Sequence, residues 1–287
     1  MKDNLDIFIT AFRPFNQYVI DKRYKVITVK DFKYEGKLES YKDNVGDNIS
    51  DMNGFFNELT TFYWIVKNYP MKEYVGMCSY RRYFSFLDDI DSIKDVLQNN
   101  DIILPTKEPL DGKTVFEHYD SYHNIKDLEL ALEILYKQYP SYKSDAEKFL
   151  NSNDMYCNNM FIMKREDFIK YCEFVFNILF TFLNNKKFNC YDDIIRYVVS
   201  NRNLYLKEDV FSKSAIYQAR IGGFLAERLF NIYIEHNFKK VYEIPMEFIT
   251  DDSVTSYFDE ILLTDDVMCN KIINNNKNNN RQKICFC

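Results

Sequence analysis

The sequence has few of the residues that hold metals, interrupt secondary structure or cross-link a chain. It contains three histidines, seven glycines, six prolines and one tryptophan among 287 residues. With only His118, His123 and His236 available, a metal site built from several histidines is effectively excluded. Residues 1–250 contain no internal repeat and no Pro- or Ser-rich linker, so no domain boundary is marked there.

Cysteine content and net charge argue against a disulfide-bonded protein and against a nucleic-acid-binding protein. The seven cysteines are odd in number and form no CxxC pair, which favours free thiols in a reducing compartment over a disulfide framework. The net charge is −6, whereas a surface that binds nucleic acid needs a basic face. Nucleic acid is therefore not expected as the main partner.

A secretion signal and a long hydrophobic run are both missing. The longest apolar run, residues 174–183, has ten residues, and a helix that crosses a bilayer needs about 20. We expect a cytoplasmic protein. Peripheral association with the inner face of the cytoplasmic membrane stays open, because Lys186 and Lys187 follow the apolar run, although a buried helix end explains this pair equally well.

Familiar catalytic motifs are absent as well, since the chain has no GxGxxG, GxxxxGK[ST], GxSxG or HExxH. Aromatic residues are abundant instead, with 23 tyrosines and 25 phenylalanines. The favoured explanation for much of this is the codon bias of an AT-rich genome. Tyrosine is also common in sugar sites, where its ring covers apolar C–H faces and its hydroxyl reaches polar groups.

Short β-rich apolar runs alternate with helical patterns along the chain. This alternation predicts an α/β fold with a mostly parallel sheet, in which ligands bind outside the carboxyl ends of the strands. Residues 251–287, which include an Asn-rich stretch, are predicted to form a partly disordered C-terminal extension. The predicted strands are 6–10, 25–29, 74–78, 101–105, 156–163 and 241–248, and the predicted helices are 54–67, 92–99, 126–138, 145–150, 165–183 and 217–235.

The most unusual segment is residues 74–84, in which an apolar strand runs directly into two arginines among aromatic residues. Arg81 and Arg82 present planar forks that suit phosphate oxygens and could neutralise a diphosphate leaving group. The alternative is that they pair with surface carboxylates. In a regular strand the two would face opposite sides, so both can serve one ligand only if the chain turns there.

Two further patterns place titratable groups where they could act as bases. Glu58 shares the apolar face of the helix predicted over 54–67, so it is either paired with an arginine or lies in a site with a shifted pKa. His123 and Asp127 are four residues apart and could meet on one helical face, where a carboxylate would orient the imidazole. A histidine tied at a helix start is the alternative.

Polar residues also interrupt two apolar segments. Asn159 lies in a predicted strand and must find a partner or face a polar ligand. Arg220, Gly223 and Glu227 share one helical face, and the glycine permits close approach of either a ligand or a neighbouring helix.

Taken together, these segments over residues 6–250 resemble a bacterial family of capsular and exopolysaccharide glycosyltransferases. Two departures from the family pattern are Ser79, where members often have histidine, and Phe12-Arg13-Pro14, where members often have His-Lys-Pro. The matching pieces are GDNIS (46–50), NELT (57–60) with Tyr63-Trp64, YVG through YRRYF (74–84), ILP (103–105), His123 with Asp127, NMFIM (159–163) and GFLAERL (223–229).

The resemblance implies a GT-A-like, Rossmann-type fold for residues 1–250 and transfer from a nucleotide-sugar, usually a UDP-sugar and in some relatives UDP-galactofuranose, to a surface polysaccharide or lipid-linked glycan. By analogy, it assigns residues to three groups. The donor would be bound by Thr10, Arg13, Asp47, Asn48, Tyr80, Arg81, Arg82 and Arg220; sugar or acceptor contacts would come from His118, Asn159 and Gly223; and the base would be Glu58, His123 with Asp127, or Glu227.

GT-A enzymes usually bind a divalent metal through an Asp-x-Asp motif at a strand end. Here the corresponding position holds Arg81 and Arg82, so we expect transfer without a metal cofactor. The competing metal site is Asp89 with Asp91, although acidic residues before a helix are also favoured by its dipole. A non-catalytic scaffold of a polysaccharide assembly complex and a phosphotransferase are the alternative functions.

Overall fold

The computed structural model describes residues 4–29, 32–85, 93–207 and 214–249. At its centre is β1, whose seven residues are all buried because neighbouring strands and both layers of the protein cover it. The strands are β1 (Leu5–Ala11), β2 (Tyr24–Thr28), β3 (Glu39–Lys42), β4 (Tyr74–Ser79), β5 (Arg82–Phe84), β6 (Ile102–Pro105), β7 (Glu108–Pro109), β8 (Asp154–Met155), β9 (Phe161–Lys164), β10 (Val241–Ile244) and β11 (Met246–Phe248).

The helices surround this sheet. Two short 3-10 turns, Ser50–Met52 and Pro140–Tyr142, precede α1 and α6. The α-helices are α1 (Asn53–Phe56), α2 (Leu59–Asn68), α3 (Ile93–Asn99), α4 (Val115–Tyr122), α5 (Ile125–Gln138), α6 (Lys143–Leu150), α7 (Arg165–Lys186), α8 (Tyr191–Ser200), α9 (Arg202–Tyr205), α10 (Ala215–Gln218) and α11 (Ile221–Asn237).

The main sheet has the strand order β10-β6-β9-β4-β1-β2-β3. Strands β1 to β4 are parallel, β10 is parallel to β6, and β9 runs antiparallel between β4 and β6. Strand β5 turns back beside β4 and pairs with β11. The predicted mostly parallel sheet flanked by helices in a single domain is confirmed.

Alternating side chains of the central strands divide the core into two layers. Phe8 packs on one face with residues of α2, α5, α7 and α11, whereas Ile7 and Ile9 pack on the other face with residues of α3. The apolar sequence of α7 predicts a central buried helix, but only one side is buried, through residues such as Phe168, Val175 and Phe182, whereas Glu173, Asn177 and Phe180 are exposed. Among the described residues, no helix is long and apolar enough to cross a membrane.

Two predicted elements differ from the structure in ways that shape the site. The helix predicted over 54–67 is broken between α1 and α2 by Asn57, whose φ is 52°. The strand predicted over 156–163 begins only at Phe161, because Asn158 and Asn159 have φ values of 73° and 46°. Asparagine tolerates this left-handed backbone better than most residues. The predicted C-terminal extension, 251–287, lies outside the described residues.

Candidate functional site

A cavity of about 500 Å³ opens at the carboxyl ends of β1 and β4. Its walls come from these strand ends, the junction of α1 and α2, helix α4, the residues before β9, and the start of α11. Most of the residues predicted from the sequence to bind or react with substrate line it. These are Thr10, Glu58, Tyr80, Arg81, Arg82, His118, His123, Asn159, Arg220, Gly223 and Glu227.

The chain turns at Tyr80 and Arg81, and this turn brings both adjacent arginines to the cavity. Ser79 pairs with Arg82 across a tight antiparallel connection between β4 and β5. No carboxylate among the described residues forms an ion pair with either guanidinium, and Nε and Nη1 of Arg81 are buried without a hydrogen-bond partner there. Unpaired buried donors of this kind are rare unless a ligand accepts their hydrogen bonds.

The two guanidinium groups are held by aromatic rings. Arg82 lies over the Phe248 ring at 5.1 Å, and Arg81 lies over Tyr80 at 5.1 Å and Phe248 at 5.7 Å. Burial, together with the neighbouring positive charge of Arg81, lowers the pKa of Arg82. An arginine nevertheless keeps its proton at any working pH, so both groups remain positive. The repulsion between them would be relieved by an anion.

Two asparagines organise the wall opposite the arginine turn. The break after α1 places the buried Asn57 at the cavity, where its Oδ1 accepts a hydrogen bond from Arg220 Nε at 2.7 Å. Asn159 donates through Nδ2 to Glu58 Oε1 at 2.6 Å, while its own Oδ1 is buried without a partner among the described residues. Burial, and secondarily the charge of Glu227, raises the pKa of Glu58.

Helix α11 supplies a charged pair to the cavity. Arg228 Nη1 donates to Glu227 Oε2 at 3.0 Å, and Arg228 Nη2 lies 3.3 Å from His118 Nδ1. The backbone N–H of Asn158 reaches Glu227 Oε1 at 3.4 Å. Arg228 is almost fully buried, and its Nε has no partner in the described part of the chain.

Both cavity histidines are neutral. Burial and the charge of Arg228 lower the pKa of His118 to about 4. Burial lowers the pKa of His123 well below its usual value, and its ring stacks on Phe224 at 3.8 Å. His118 therefore accepts a hydrogen bond from Arg228 in its neutral form.

The predicted pair of His123 and Asp127 is wrong. Helix α5 begins at Ile125, so the two residues do not share a helical face. His123 Nδ1 instead lies 3.2 Å from Gln218 Oε1. Asp127 accepts from Tyr205 Oη at 2.7 Å and pairs with Lys186 Nζ at 2.8 Å, so it is part of a buried ion pair and not of the cavity lining.

Three predicted donor-binding residues also lie outside the cavity lining. The carboxylate of Asp47 accepts a hydrogen bond from Tyr63 Oη, and the backbone N–H of Asp47 donates to Asn68 Oδ1 at the C-terminal end of α2. Asn48 binds Gly46 and Ser50 within the same exposed loop. The cavity lies at the other end of α2, so these two residues are not part of its lining. Arg13 does not line the cavity, but its Nε donates a hydrogen bond at 3.0 Å to Oη of Tyr80, which does.

The sequence analysis did not single out several cavity residues. Arg228 had one detectable signal, because it is a charge inside an otherwise apolar helix. Asn57 begins the NELT piece and Asn158 is the first of two adjacent amides in a predicted strand, but only the tertiary structure reveals their left-handed backbone. Ser79, noted as a departure from the family pattern, places at the cavity a buried Oγ that has no hydrogen-bond partner among the described residues.

The charged residues of the cavity are four arginines and two glutamates. Among the described residues, no group of three or more His, Cys, Asp or Glu side chains could hold a metal ion. The alternative metal ligands, Asp89 and Asp91, lie outside the described residues. In the described part of the cavity, the groups available to bind an anion are therefore the guanidinium groups of these arginines.

One solved structure shares this fold closely. The structure of the WbbM bifunctional glycosyltransferase in its apo form is 26% identical, with a TM-score of 0.67 over 87% of this chain and 46% of that one. The chain therefore spans about half the length of WbbM. The match confirms the predicted GT-A-like fold, a mostly parallel mixed sheet flanked by helices.

Two fungal structures are more distant. Core-mannan synthase A from Aspergillus fumigatus is 12% identical, with a TM-score of 0.39 over 84% of this chain and 74% of that one. The mannosyltransferase Ktr4p from S. cerevisiae is 8% identical, with a TM-score of 0.37 over 85% of this chain and 70% of that one. Such TM-scores do not establish a shared fold.

No curated protein sequence matches the chain. One sequence family does, and it covers residues 6–200, from the first strand to the end of α8. That span is more than half of the chain and includes the arginine turn, Glu58 and both asparagines of the cavity wall. The chain belongs to the family described as "Domain of unknown function (DUF4422)".

Proposed function

We propose that this protein transfers a sugar from a nucleotide-sugar donor to a glycan acceptor. One observation carries the proposal: Arg81 and Arg82 line a cavity at the carboxyl ends of the central strands, and neither has a carboxylate partner among the described residues. A diphosphate that leaves as the glycosidic bond forms gains negative charge. Two fixed guanidinium groups stabilise that charge more strongly in the transition state than in the bound donor.

The charges around the cavity support a diphosphate ligand. Arg228 and Glu227 neutralise each other, and Glu58 offsets one of the other three arginines, Arg81, Arg82 and Arg220. The cavity keeps an excess of positive charge, which suits the roughly two negative charges of a nucleoside diphosphate sugar. In this proposal Arg81 and Arg82 bind the diphosphate, and Arg220, held by Asn57, binds the donor from the opposite wall.

The similarity to WbbM, a bifunctional glycosyltransferase, supports the reaction class. Within that class we propose a UDP-sugar donor, with UDP-galactofuranose among the candidates. The proposed acceptor is a growing surface polysaccharide of the capsule, exopolysaccharide or O-antigen type. A lipid-linked acceptor would place the protein at the inner face of the cytoplasmic membrane.

The proposal is tested by incubating purified protein with a panel of nucleotide-sugars and glycan acceptors and measuring released nucleotide diphosphate. Binding is measured in parallel as a shift in melting temperature. A ligand at about 100 times its Kd stabilises the folded protein by about 2.7 kcal/mol, which corresponds to a rise of a few degrees. If no nucleotide-sugar shifts the melting temperature, the protein is a scaffold; if free phosphate is released instead, it is a phosphotransferase.

The arginine pair gives the sharpest prediction. Replacing both Arg81 and Arg82 with alanine should lower kcat at least about 100-fold, as removal of one oxyanion-stabilising donor does in other enzymes. Single replacements by lysine should retain part of the activity, because the charge remains although the planar fork is lost. The matched control is Arg196→Ala, an exposed arginine of α8 paired with Asp193. Full turnover by the double alanine variant would end the proposal.

A further inference from the structure

Three groups could accept the proton of the acceptor hydroxyl, and their surroundings differ. Glu227 has both carboxylate oxygens engaged, by Arg228 and by the N–H of Asn158. A carboxylate whose two oxygens already accept hydrogen bonds has less capacity left for an acceptor hydroxyl. His123 is stacked on Phe224 and directed at Gln218. Asp127, the group predicted to orient that imidazole, is bound to Lys186.

Glu58 is the third group, and it has no ion-pair partner among the described residues. Its carboxylate lies at the cavity, at the junction of α1 and α2. The Nδ2 group of Asn159 is the one described side-chain group that donates to it. The carboxylate therefore has a fixed direction and remaining capacity to accept a proton.

We propose that Glu58 is the catalytic base of an inverting transfer and that Asn159 is the residue that positions it. The assignment rests on the proposed glycosyl transfer. Glu58 removes the proton of the acceptor hydroxyl as that oxygen bonds to the anomeric carbon. The bond from that carbon to the diphosphate oxygen breaks, its electron pair leaves with the diphosphate, and Arg81 and Arg82 take up the charge.

The backbone around Asn159 supports a positioning role. Asn158 and Asn159 are consecutive residues with positive φ, and in this conformation the amide of Asn159 donates directly to Glu58. Its buried Oδ1 has no described partner and is available to a sugar hydroxyl. The same amide can therefore bind the base through Nδ2 and the substrate through Oδ1.

The protonation of Glu58 gives the test a second readout. Burial, and then Glu227, raises its pKa, whereas the hydrogen bond from Asn159 lowers it. A base with a raised pKa removes a proton more effectively near neutral pH. Loss of the Asn159 amide should therefore move the acidic limb of the kcat–pH profile to higher pH.

The experiment uses the full chain with the donor found in the nucleotide-sugar panel. Glu58→Gln should lower kcat by roughly 10²- to 10⁴-fold, while the melting-temperature shift with UDP stays as in the wild type. Asn159→Gly, which suits the positive φ, should keep measurable turnover with its acidic limb displaced upward. Glu133→Gln, an exposed residue of α5, is the matched control and should leave the profile unchanged.

The product should have the anomeric configuration opposite to that of the donor, as read by NMR. Three outcomes would overturn the assignment of Glu58 and leave the proposed sugar transfer standing. They are a near wild-type kcat in Glu58→Gln, an unchanged acidic limb of the pH profile in Asn159→Gly, and a product with the donor's anomeric configuration. If the wild-type protein neither binds nor cleaves any nucleotide-sugar, the proposed function fails and the assignment fails with it.

Discussion

Single residues in strained or unpaired states mark this site. Asn57, Asn158 and Asn159 adopt positive φ values, and all three line the cavity. Each such conformation costs on the order of 1 kcal/mol or more, and it persists where the surrounding structure enforces it. Buried polar atoms without a described partner lie on the same surface, on Ser79, Arg81, Asn159 and Arg228. The cavity is built to complete its hydrogen bonds with a ligand.

His118 provides a prediction at this scale. Burial and Arg228 hold its pKa at about 4, below the value of about 6.5 expected in the unfolded chain. Between these values the unfolded chain binds more protons, so stability falls as pH is lowered through this window. The melting temperature should therefore fall less between pH 6.5 and pH 4 in His118→Gln than in the wild type.

The comparison requires thermal melts of both proteins at several pH values. Some slope should remain in the variant, because burial also lowers the pKa of His123. Identical slopes in the two proteins would contradict the prediction.

At the scale of elements, the site depends on close approach between α11 and the junction of α1 and α2. A Cβ added to Gly223 would lie 2.0 Å from Asn57 Nδ2, and one added to Gly222 would lie 2.5 Å from the Phe55 ring. The two glycines therefore have different roles. Gly222 packs against the core, and Gly223 leaves room for the side chain that holds Arg220.

Gly223→Ala should displace the Asn57 side chain and release Arg220. We expect a higher KM for the donor with a stability change within about 1 kcal/mol, because alanine also favours the helix. Asn57→Gly should raise the KM for the donor by the same amount as Gly223→Ala. The double variant should raise it little further, because both substitutions break the same contact between Asn57 and Arg220. Gly222→Ala is the contrasting variant and should lower stability by about 1–3 kcal/mol through overpacking. Additive KM effects of Gly223→Ala and Asn57→Gly would refute the shared contact.

A second element completes the site from the far end of the chain. Strand β11 pairs with β5 and places the Phe248 ring against both arginines. The family match ends at residue 200, so this strand and the whole of α11 lie outside the matched span. The arginine turn therefore depends on residues distant in sequence.

At the scale of the whole molecule, segments separated by more than 200 residues assemble one positive cavity. Arg81 and Arg82 lie at the edge of the sheet where we propose that a diphosphate leaves, and we propose that they offset its charge in place of a metal. We predict that turnover with the identified donor is unchanged in excess EDTA.

The control for chelation is a Mn²⁺-dependent glycosyltransferase assayed in the same buffer, which should lose its activity. Loss of turnover that Mn²⁺ restores would contradict the prediction and would direct attention to Asp89 and Asp91 as metal ligands.

The fold class could be predicted from the sequence alone, although helices α4 and α8 were missed. The sequence shows the main strands and most of the long helices through alternating β-rich and helical patterns, because the period of apolar residues is a local property. It also placed Arg81 and Arg82 at a strand end. Which polar residues meet was settled by the three-dimensional fold. It separated His123 from Asp127, moved Asp47 and Asn48 away from the cavity, and joined Asn159 to Glu58 across 101 positions of the chain. Such contacts depend on backbone turns and on packing between distant elements, and neither leaves a periodic trace in the sequence.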